Sequence, residues 1–146
     1  MKPAKKVTKP VSKKKAAKKP WVKPPSLPGA EEHLHRVHQM CMALPQTTEK
    51  ISHGAPTFFA DKRVYAMFVN NHHNDGHLAA WIPVPAGSQA TLIKTEPQKF
   101  FMPPYVGCKG WVGVELGVVS DDELGFHLCE AWRLIAKRKA PQRSEF

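Results

Sequence analysis

Two stretches of the chain show hydrophobic residues at helical spacing. In the first, Leu34, Val37, Cys41 and Leu44 recur at intervals of three or four, which predicts a helix with one buried stripe that ends at Pro45. The second stretch begins where Ser120 and Glu123 have the spacing of a capping box, and acidic residues follow in its first turn. Its apolar face is formed by Leu124, Leu128, Ala131, Trp132 and Ile135.

Between these helices the pattern changes to short runs rich in β-branched and aromatic residues. Strands are predicted over residues 56–59, 63–69, 77–82, 100–102 and 111–116. Residues 70–76 are typical of a turn, and residues 89–94 of a short helix. We expect a sheet that is assembled from sequence neighbours and is therefore antiparallel. The predicted fold class is α+β, with two layers: an antiparallel sheet packed against an N-terminal and a C-terminal helix.

Charge divides the chain into two parts. The formal net charge is +10, and the first 25 residues hold ten lysines and no acidic residue. Residues 26–146 hold equal numbers of basic and acidic side chains. We therefore assign residues 1–28 to a Lys/Pro/Ala-rich basic arm, residues 29–140 to one domain and residues 141–146 to a short tail. Trp21 is the only large apolar side chain in the lysine-rich part of the arm that ends at Pro25, so the arm is predicted to be disordered.

The composition of the arm favours contact with the phosphates of a nucleic acid. Lysine is a compact point charge that suits phosphate groups and does not read bases. The phosphate-binding candidates are Lys5, Lys6, Lys9, Lys13, Lys14, Lys15, Lys18 and Lys19. Three other roles stay open for the arm: solubility, nuclear localisation in a eukaryote, and contact with an anionic membrane. No secretory signal, mitochondrial presequence or membrane-spanning run is present, so the expected location is cytoplasmic, or nucleoid-associated in a bacterium.

Several motifs of the domain are similar to those of a known family. Its first half contains Ala43-Leu44-Pro45, Glu49, His53-Gly54-Ala55-Pro56, Phe58 and Tyr65-Ala66. Its second half contains Phe101, Pro103-Pro104-Tyr105-Val106-Gly107, Lys109-Gly110-Trp111-Val112 and Glu130-Ala131-Trp132-Arg133. Over about residues 31–140, the chain resembles the MmcQ/YjbR-like family. The resemblance implies a frataxin-like sandwich, also compared with a double-wing DNA-binding domain, but it does not include the lysine arm.

The residue types that carry catalysis or metal binding are present but not grouped in a recognisable motif. Eight histidines occur without an HExxH motif, and three cysteines occur without a CxxC motif, so neither a metal nor a cofactor is predicted. Frataxin-type iron binding would need an acidic helix, and the first helix is instead rich in histidine. His53 and Cys108 are the only candidates for a general base and a nucleophile, and neither has an evident partner. We therefore predict that the protein is not an enzyme.

Two surfaces of the domain are candidates for binding. Residues 103–111 combine turn-forming glycines with Tyr105, Lys109 and Trp111, which form a possible ligand surface, although Trp111 also suits the core. In a double-wing interpretation, Lys62 and Arg63 at a hairpin turn would contact phosphate together with Lys109. The first hypothesis is a non-enzymatic protein that binds DNA without sequence preference. The alternative is a module that binds a small molecule or a protein, with the arm serving solubility or localisation.

Overall fold

A six-stranded antiparallel sheet forms the centre of the domain. The structure, a computed structural model, describes residues 24–139, with side chains through Lys137. The strands are β1 (Thr47–Ser52), β2 (Ala55–Ala60), β3 (Arg63–Asn70), β4 (Leu78–Pro83), β5 (Phe100–Phe101) and β6 (Trp111–Glu115). Their order across the sheet is β1-β2-β3-β4-β6-β5, and every neighbouring pair is antiparallel.

Three helices accompany the sheet: α1 (Ala30–Met42), α2 (Ser88–Thr95) and α3 (Asp121–Lys139). Gly29 precedes α1 with φ +81°, a conformation that glycine adopts without strain. The predicted capping box starts α3, because Glu123 N donates to Ser120 Oγ at 3.1 Å and Ser120 N donates to Glu123 Oε1 at 2.9 Å. The two predicted helices and the short helix between them are thus confirmed.

The main core lies between one face of the sheet and helices α1 and α3. Val37 and Cys41 of α1 are buried against residues from five of the six strands, as are four of the five residues of the predicted apolar face of α3. The fifth, Trp132, is partly buried. The central strand β3 carries a β-bulge, since Phe58 pairs with Ala66 while Phe59 pairs with Val64. Tyr65 is the additional residue of this bulge and is fully buried in the main core.

The α+β class, the antiparallel sheet and the two flanking helices agree with the prediction, but two details differ. Residues 47–52 form an edge strand that their mixed polar sequence did not indicate. The expectation that the sheet is built from sequence neighbours holds for β1 to β4 and for the pair β5 and β6, and it is wrong where β4 pairs with β6. Strand β6 lies between β4 and β5, because the segment after β4 passes through α2 before it reaches the sheet edge.

Candidate functional site

The face of the sheet opposite α1 and α3, called the outer face below, has an apolar cluster of its own. Val69, Ala79, Trp81 and Trp111 are buried there, and four further apolar side chains pack against them: Val64, Met67, Phe101 and Val106. The strand register explains this cluster. Because successive side chains of a strand point to opposite faces, Met67 and Trp81, which pair across β3 and β4, share the outer face.

A cavity of about 540 Å³, called the outer-face pocket below, lies over this cluster. Its wall is mainly apolar and is formed by Ser52, His53, Ala55, Thr57, Phe59, Val64, Met67, Val69, His72, Trp81, Tyr105 and Val106. None of these residues is an acid, a lysine or an arginine. Lys50, an exposed residue that does not line the cavity, places its Nζ 5.0 Å from the ring centroid of the lining residue Phe59. The volume is within the range of pockets that hold small molecules, roughly 300–1,000 Å³.

Along the wall of the outer-face pocket, the ring of His72 contacts the rings of Trp81 and Tyr105. His72 stands edge-on to Trp81 with ring centroids 5.4 Å apart, and Tyr105 stands edge-on to His72 at 5.7 Å. Trp81 Nε1 and His72 Nε2 are both buried, and neither has a hydrogen-bond partner among the described residues. Burial, followed by the neighbouring His73, lowers the pKa of His72, which favours a neutral ring. Unpaired buried polar atoms are uncommon in folded proteins and call for a physical explanation.

Two residues of the pocket wall have positive φ angles. Tyr105 has φ +65° and ψ −66°, and Val106 N donates to Pro104 O at 2.6 Å, so a strained γ-turn presents the Tyr105 ring. This ring is 65% exposed, and its hydroxyl contacts His73 Nε2 at 3.1 Å. His53 has φ +53° in the two-residue turn between β1 and β2. The positive φ of His53 is ordinary for such a turn, whereas the torsion angles of Tyr105 are strained, and strain of this kind is concentrated at functional sites.

The segment that leads from the basic arm is attached to the loop between β3 and β4. Asn71 Nδ2 donates to Pro25 O at 2.9 Å, Leu27 N donates to Asn70 Oδ1 at 2.9 Å, and Asn70 Nδ2 donates to Ser26 Oγ at 2.9 Å. A second cavity of about 540 Å³ beside this attachment has Pro24 in its wall and shares His53, Ala55, Val69 and His72 with the outer-face pocket. Residues 25–27, which we assigned to the arm, therefore contact the domain next to the pocket.

The predicted basic residues of the domain lie together at one end of the sheet. Lys62 and Arg63 are exposed at the turn between β2 and β3. Lys109 is also exposed and comes just before β6, whose first residue Trp111 pairs with Pro83 at the end of β4. This end of the sheet is opposite the loop that holds residues 25–27. The two ends are separated by the length of β3, eight residues or about 26 Å.

The structure separates the other candidates that the sequence suggested. Tyr105 lies on the pocket wall, whereas Trp111 is buried in the outer-face cluster and does not line the pocket. Cys108 is exposed, with its thiol donating to Tyr105 O at 3.0 Å, and Cys41 is buried. The arm lysines from Lys5 to Lys19 and the tail, residues 141–146, lie outside the described residues.

Two negative findings apply to residues 24–139. In this part of the chain, no group of three or more histidine, cysteine, aspartate or glutamate side chains is arranged to hold a metal ion. No helix of the same part is both long enough and apolar enough to cross a membrane.

Among the residues of the pocket wall, only His53 and Tyr105 were candidates from sequence, although one further signal for the pocket was present. Residues 78–82 are apolar at every position, and residues 64–69 nearly so, whereas a sheet with one solvated face alternates apolar and polar residues. Continuous apolar strands indicate that both faces are covered. His72 and Trp81 gained their significance only when folding brought them next to Tyr105.

Comparisons with known proteins agree with this architecture. The family model described as YjbR matches residues 42–134. A crystal structure of the Deinococcus radiodurans protein DR2400, which carries the domain DUF419, resembles the structure with a TM-score of 0.62. The two sequences are 24% identical, and the likeness covers 73% of this chain and 80% of that chain, so it concerns the fold alone. No curated protein sequence matches the chain.

Proposed function

The chain belongs to the YjbR family, and from this premise we propose that it is a non-enzymatic DNA-binding protein whose lysine arm makes sequence-independent phosphate contacts. The observation that carries the proposal is the placement of the entire net charge, +10, within the first 25 residues. A lysine segment without acids binds a polyanion by releasing condensed counterions, and this requires no folded site. In this proposal the protein is cytoplasmic, and nucleoid-associated if its source is a bacterium.

The geometry of the domain supports separate roles for the two parts of the chain, with the arm supplying most of the DNA affinity and the body orienting the complex. Residues 25–27 attach the arm at one end of the sheet, while Lys62, Arg63 and Lys109 lie at the other end. An extended segment of 20 residues spans up to about 70 Å, so both groups can contact the same duplex. The body contributes orientation and a small share of the affinity, because residues 26–146 carry no net charge.

The decisive experiment measures duplex-DNA affinity against salt concentration for three proteins. These are the full chain, residues 24–146, and a full-length variant with all ten arm lysines replaced by glutamine. For the full chain we expect a slope of log K against log salt of about −4 to −6, since only part of the lysines engage phosphate at once. The truncated chain and the glutamine variant should lose most of the affinity at low salt, and the magnitude of their slopes should fall to about 2 or less, the share that Lys62, Arg63 and Lys109 can supply.

A second set of variants tests the contribution of the body. Lys62→Gln combined with Arg63→Gln and Lys109→Gln should reduce the salt slope by about 1 to 2 if these side chains meet phosphates. The matched control is Lys137→Gln, an exposed lysine of α3, which should leave the slope unchanged. Full binding by residues 24–146 alone would contradict the role of the arm. If none of the proteins binds at moderate salt, the DNA-binding proposal is wrong.

One observation favours a second function, a module that binds a small molecule or a protein. The outer-face pocket is an apolar cavity beside Tyr105, the feature expected of a ligand site. In this second case the arm serves solubility or localisation, and removing it leaves binding at the pocket intact.

A further inference from the structure

We infer that the outer-face pocket binds a neutral, largely apolar small molecule that carries a hydrogen-bond acceptor such as a carbonyl group. This inference rests on the second function above and is independent of DNA binding by the arm. It combines three observations: the uncharged wall of the cavity, the unpaired nitrogens of Trp81 and His72, and the strained position of Tyr105.

The wall of the pocket determines the charge and polarity of the ligand. A charged group that leaves water for such a site loses several kcal/mol of hydration unless it meets a counter-charge or several hydrogen bonds. The twelve lining residues offer no full charge, and the ammonium group of Lys50 remains exposed outside the cavity. A neutral molecule with an apolar body therefore loses the least hydration free energy when it enters the pocket.

The acceptor of the ligand is assigned from the unpaired donor. The indole N–H of Trp81 can only donate, it is buried, and no described residue accepts a hydrogen bond from it. A carbonyl oxygen supplies the acceptor that the fold does not. The neutral His72 ring lies beside Trp81. Because it has one donor and one acceptor nitrogen, it can pair with either a hydrogen-bond acceptor or a donor of the ligand.

Both nitrogens are buried, so a ligand reaches them only when a neighbouring ring shifts. Tyr105, which stands edge-on to His72, is the most exposed of the three rings. Its side chain is mostly exposed, one hydrogen bond to His73 retains its hydroxyl, and its backbone is strained. Release of the backbone strain at Tyr105 offsets part of the free energy needed to open the pocket. We expect Tyr105 to shift when the ligand binds, while the floor formed by Met67, Val69 and Trp81 stays in place.

Matched probes test the inference on the full chain. 2-Acetylnaphthalene offers a carbonyl, and 2-isopropenylnaphthalene has nearly the same shape with a CH₂ group in place of the oxygen. Ligand-observed NMR should show that both bind and that the ketone binds about 5- to 10-fold more tightly, a ratio typical of one net hydrogen bond. The charged probe 2-naphthoate should bind more weakly than the ketone.

Variants locate the site and the donor. Val64→Phe and Ala55→Phe fill the cavity from two sides and should abolish binding of both probes. Trp81→Phe removes the indole N–H and should eliminate the preference for the ketone, whereas Trp132→Phe, the same change at an indole that donates to Pro45 O, should preserve it. Thermal unfolding of each variant confirms that it is folded.

The outcomes separate this inference from the broader function. If neither naphthalene binds, or if both filling variants still bind the probes as the parent chain does, the pocket is not the binding site. The inference about the ligand and the second function then both fail, whereas the DNA-binding proposal is unaffected. If both probes bind equally in the parent chain, the pocket is a binding site and the assigned acceptor is wrong. Tighter binding of 2-naphthoate than of the ketone would overturn the neutral class of ligand.

Discussion

Tyr65 shows how one side chain joins the bulge of β3 to α1. Its ring is fully buried, and its hydroxyl donates to Cys41 O at 3.2 Å and contacts Thr47 Oγ1 at 3.0 Å. Burial raises the pKa of the Tyr65 hydroxyl and raises that of the Cys41 thiol to about 12, so both groups stay protonated. The pair is therefore structural, and Cys41 is not a reactive thiol.

Replacing Tyr65 with phenylalanine should destabilise the protein by about 1–2 kcal/mol. The ring still fills its site, but the buried Cys41 carbonyl loses its side-chain donor. The measurement is urea unfolding followed by circular dichroism, at constant m-value. Tyr105→Phe is the matched control and should change the free energy of unfolding by less than about 0.5 kcal/mol, because that ring is 65% exposed. Equal effects of the two substitutions would contradict this account of Tyr65.

At the scale of elements, Arg36 connects α1 to the segment that links β6 to α3. Its guanidinium group donates to Leu116 O at 2.7 Å, to Val119 O at 2.6 Å and to Asp121 Oδ1 at 2.5 Å. The two carbonyls belong to a loop, so they lack the regular backbone hydrogen bonds of a helix or strand. One side chain of α1 thus fixes the start of α3, some 80 residues further along the chain.

Arg36→Met should lower the free energy of unfolding by about 2–4 kcal/mol, because it removes three donors at once and leaves two carbonyls without them. Asp121→Asn removes only the exposed ion pair and should cost less than about 1 kcal/mol. Urea unfolding of both variants gives the comparison. A loss in Asp121→Asn as large as that in Arg36→Met would show that the ion pair, and not the carbonyl contacts, stabilises this connection.

At the scale of the whole molecule, three histidines make folding sensitive to acid. Burial is the main cause that lowers the pKa of His33 on α1, His72 in the loop after β3 and His127 on α3. Below the ordinary histidine pKa of about 6.5, the unfolded chain binds protons that the folded chain does not. Their contribution to stability is therefore complete above that pH and decreases as the pH falls below it.

His127→Gln should make stability less dependent on pH between 7.5 and 5.5. The variant lacks a half-buried group whose protonation favours the unfolded chain, so its loss of unfolding free energy over this range should be smaller than that of the parent. His35→Gln alters an exposed histidine of α1 and should retain the pH dependence of the parent. The measurement is the free energy of unfolding in urea at the two pH values. If the free energy of His127→Gln depends on pH as steeply as that of the parent, or more steeply, the prediction is wrong.

Prediction from sequence succeeded where the signal is local. The capping box of Ser120 and Glu123 and the apolar stripes of α1 and α3 follow from contacts within one helix and from the need to bury one face. Strand β1 was missed because residues 47–52 form an edge whose pattern is mixed. Its identity depends on pairing with β2, from Thr47 opposite Ala60 to Ser52 opposite Ala55.

The candidate site depended more on tertiary structure. Tyr105 was expected at a ligand surface, and the structure places it on the pocket wall, but its partners come from the loop at residues 70–77 and from β4. Trp111, expected beside it, is buried instead. No local pattern specifies which side chains meet across a sheet, because that depends on strand order and register.

The separation of charge, the two flanking helices and the α+β class could all be predicted from the sequence alone. These properties arise from composition and from periodicity within single elements, which are fixed before any distant contact forms. Three features became evident only in the folded chain: the place of β5 beyond β6, the attachment of residues 25–27 to Asn70 and Asn71, and the position of His53, Trp81 and Tyr105 around one cavity. These features are contacts between residues far apart in the chain, and their free energy exists only once the whole sheet has formed.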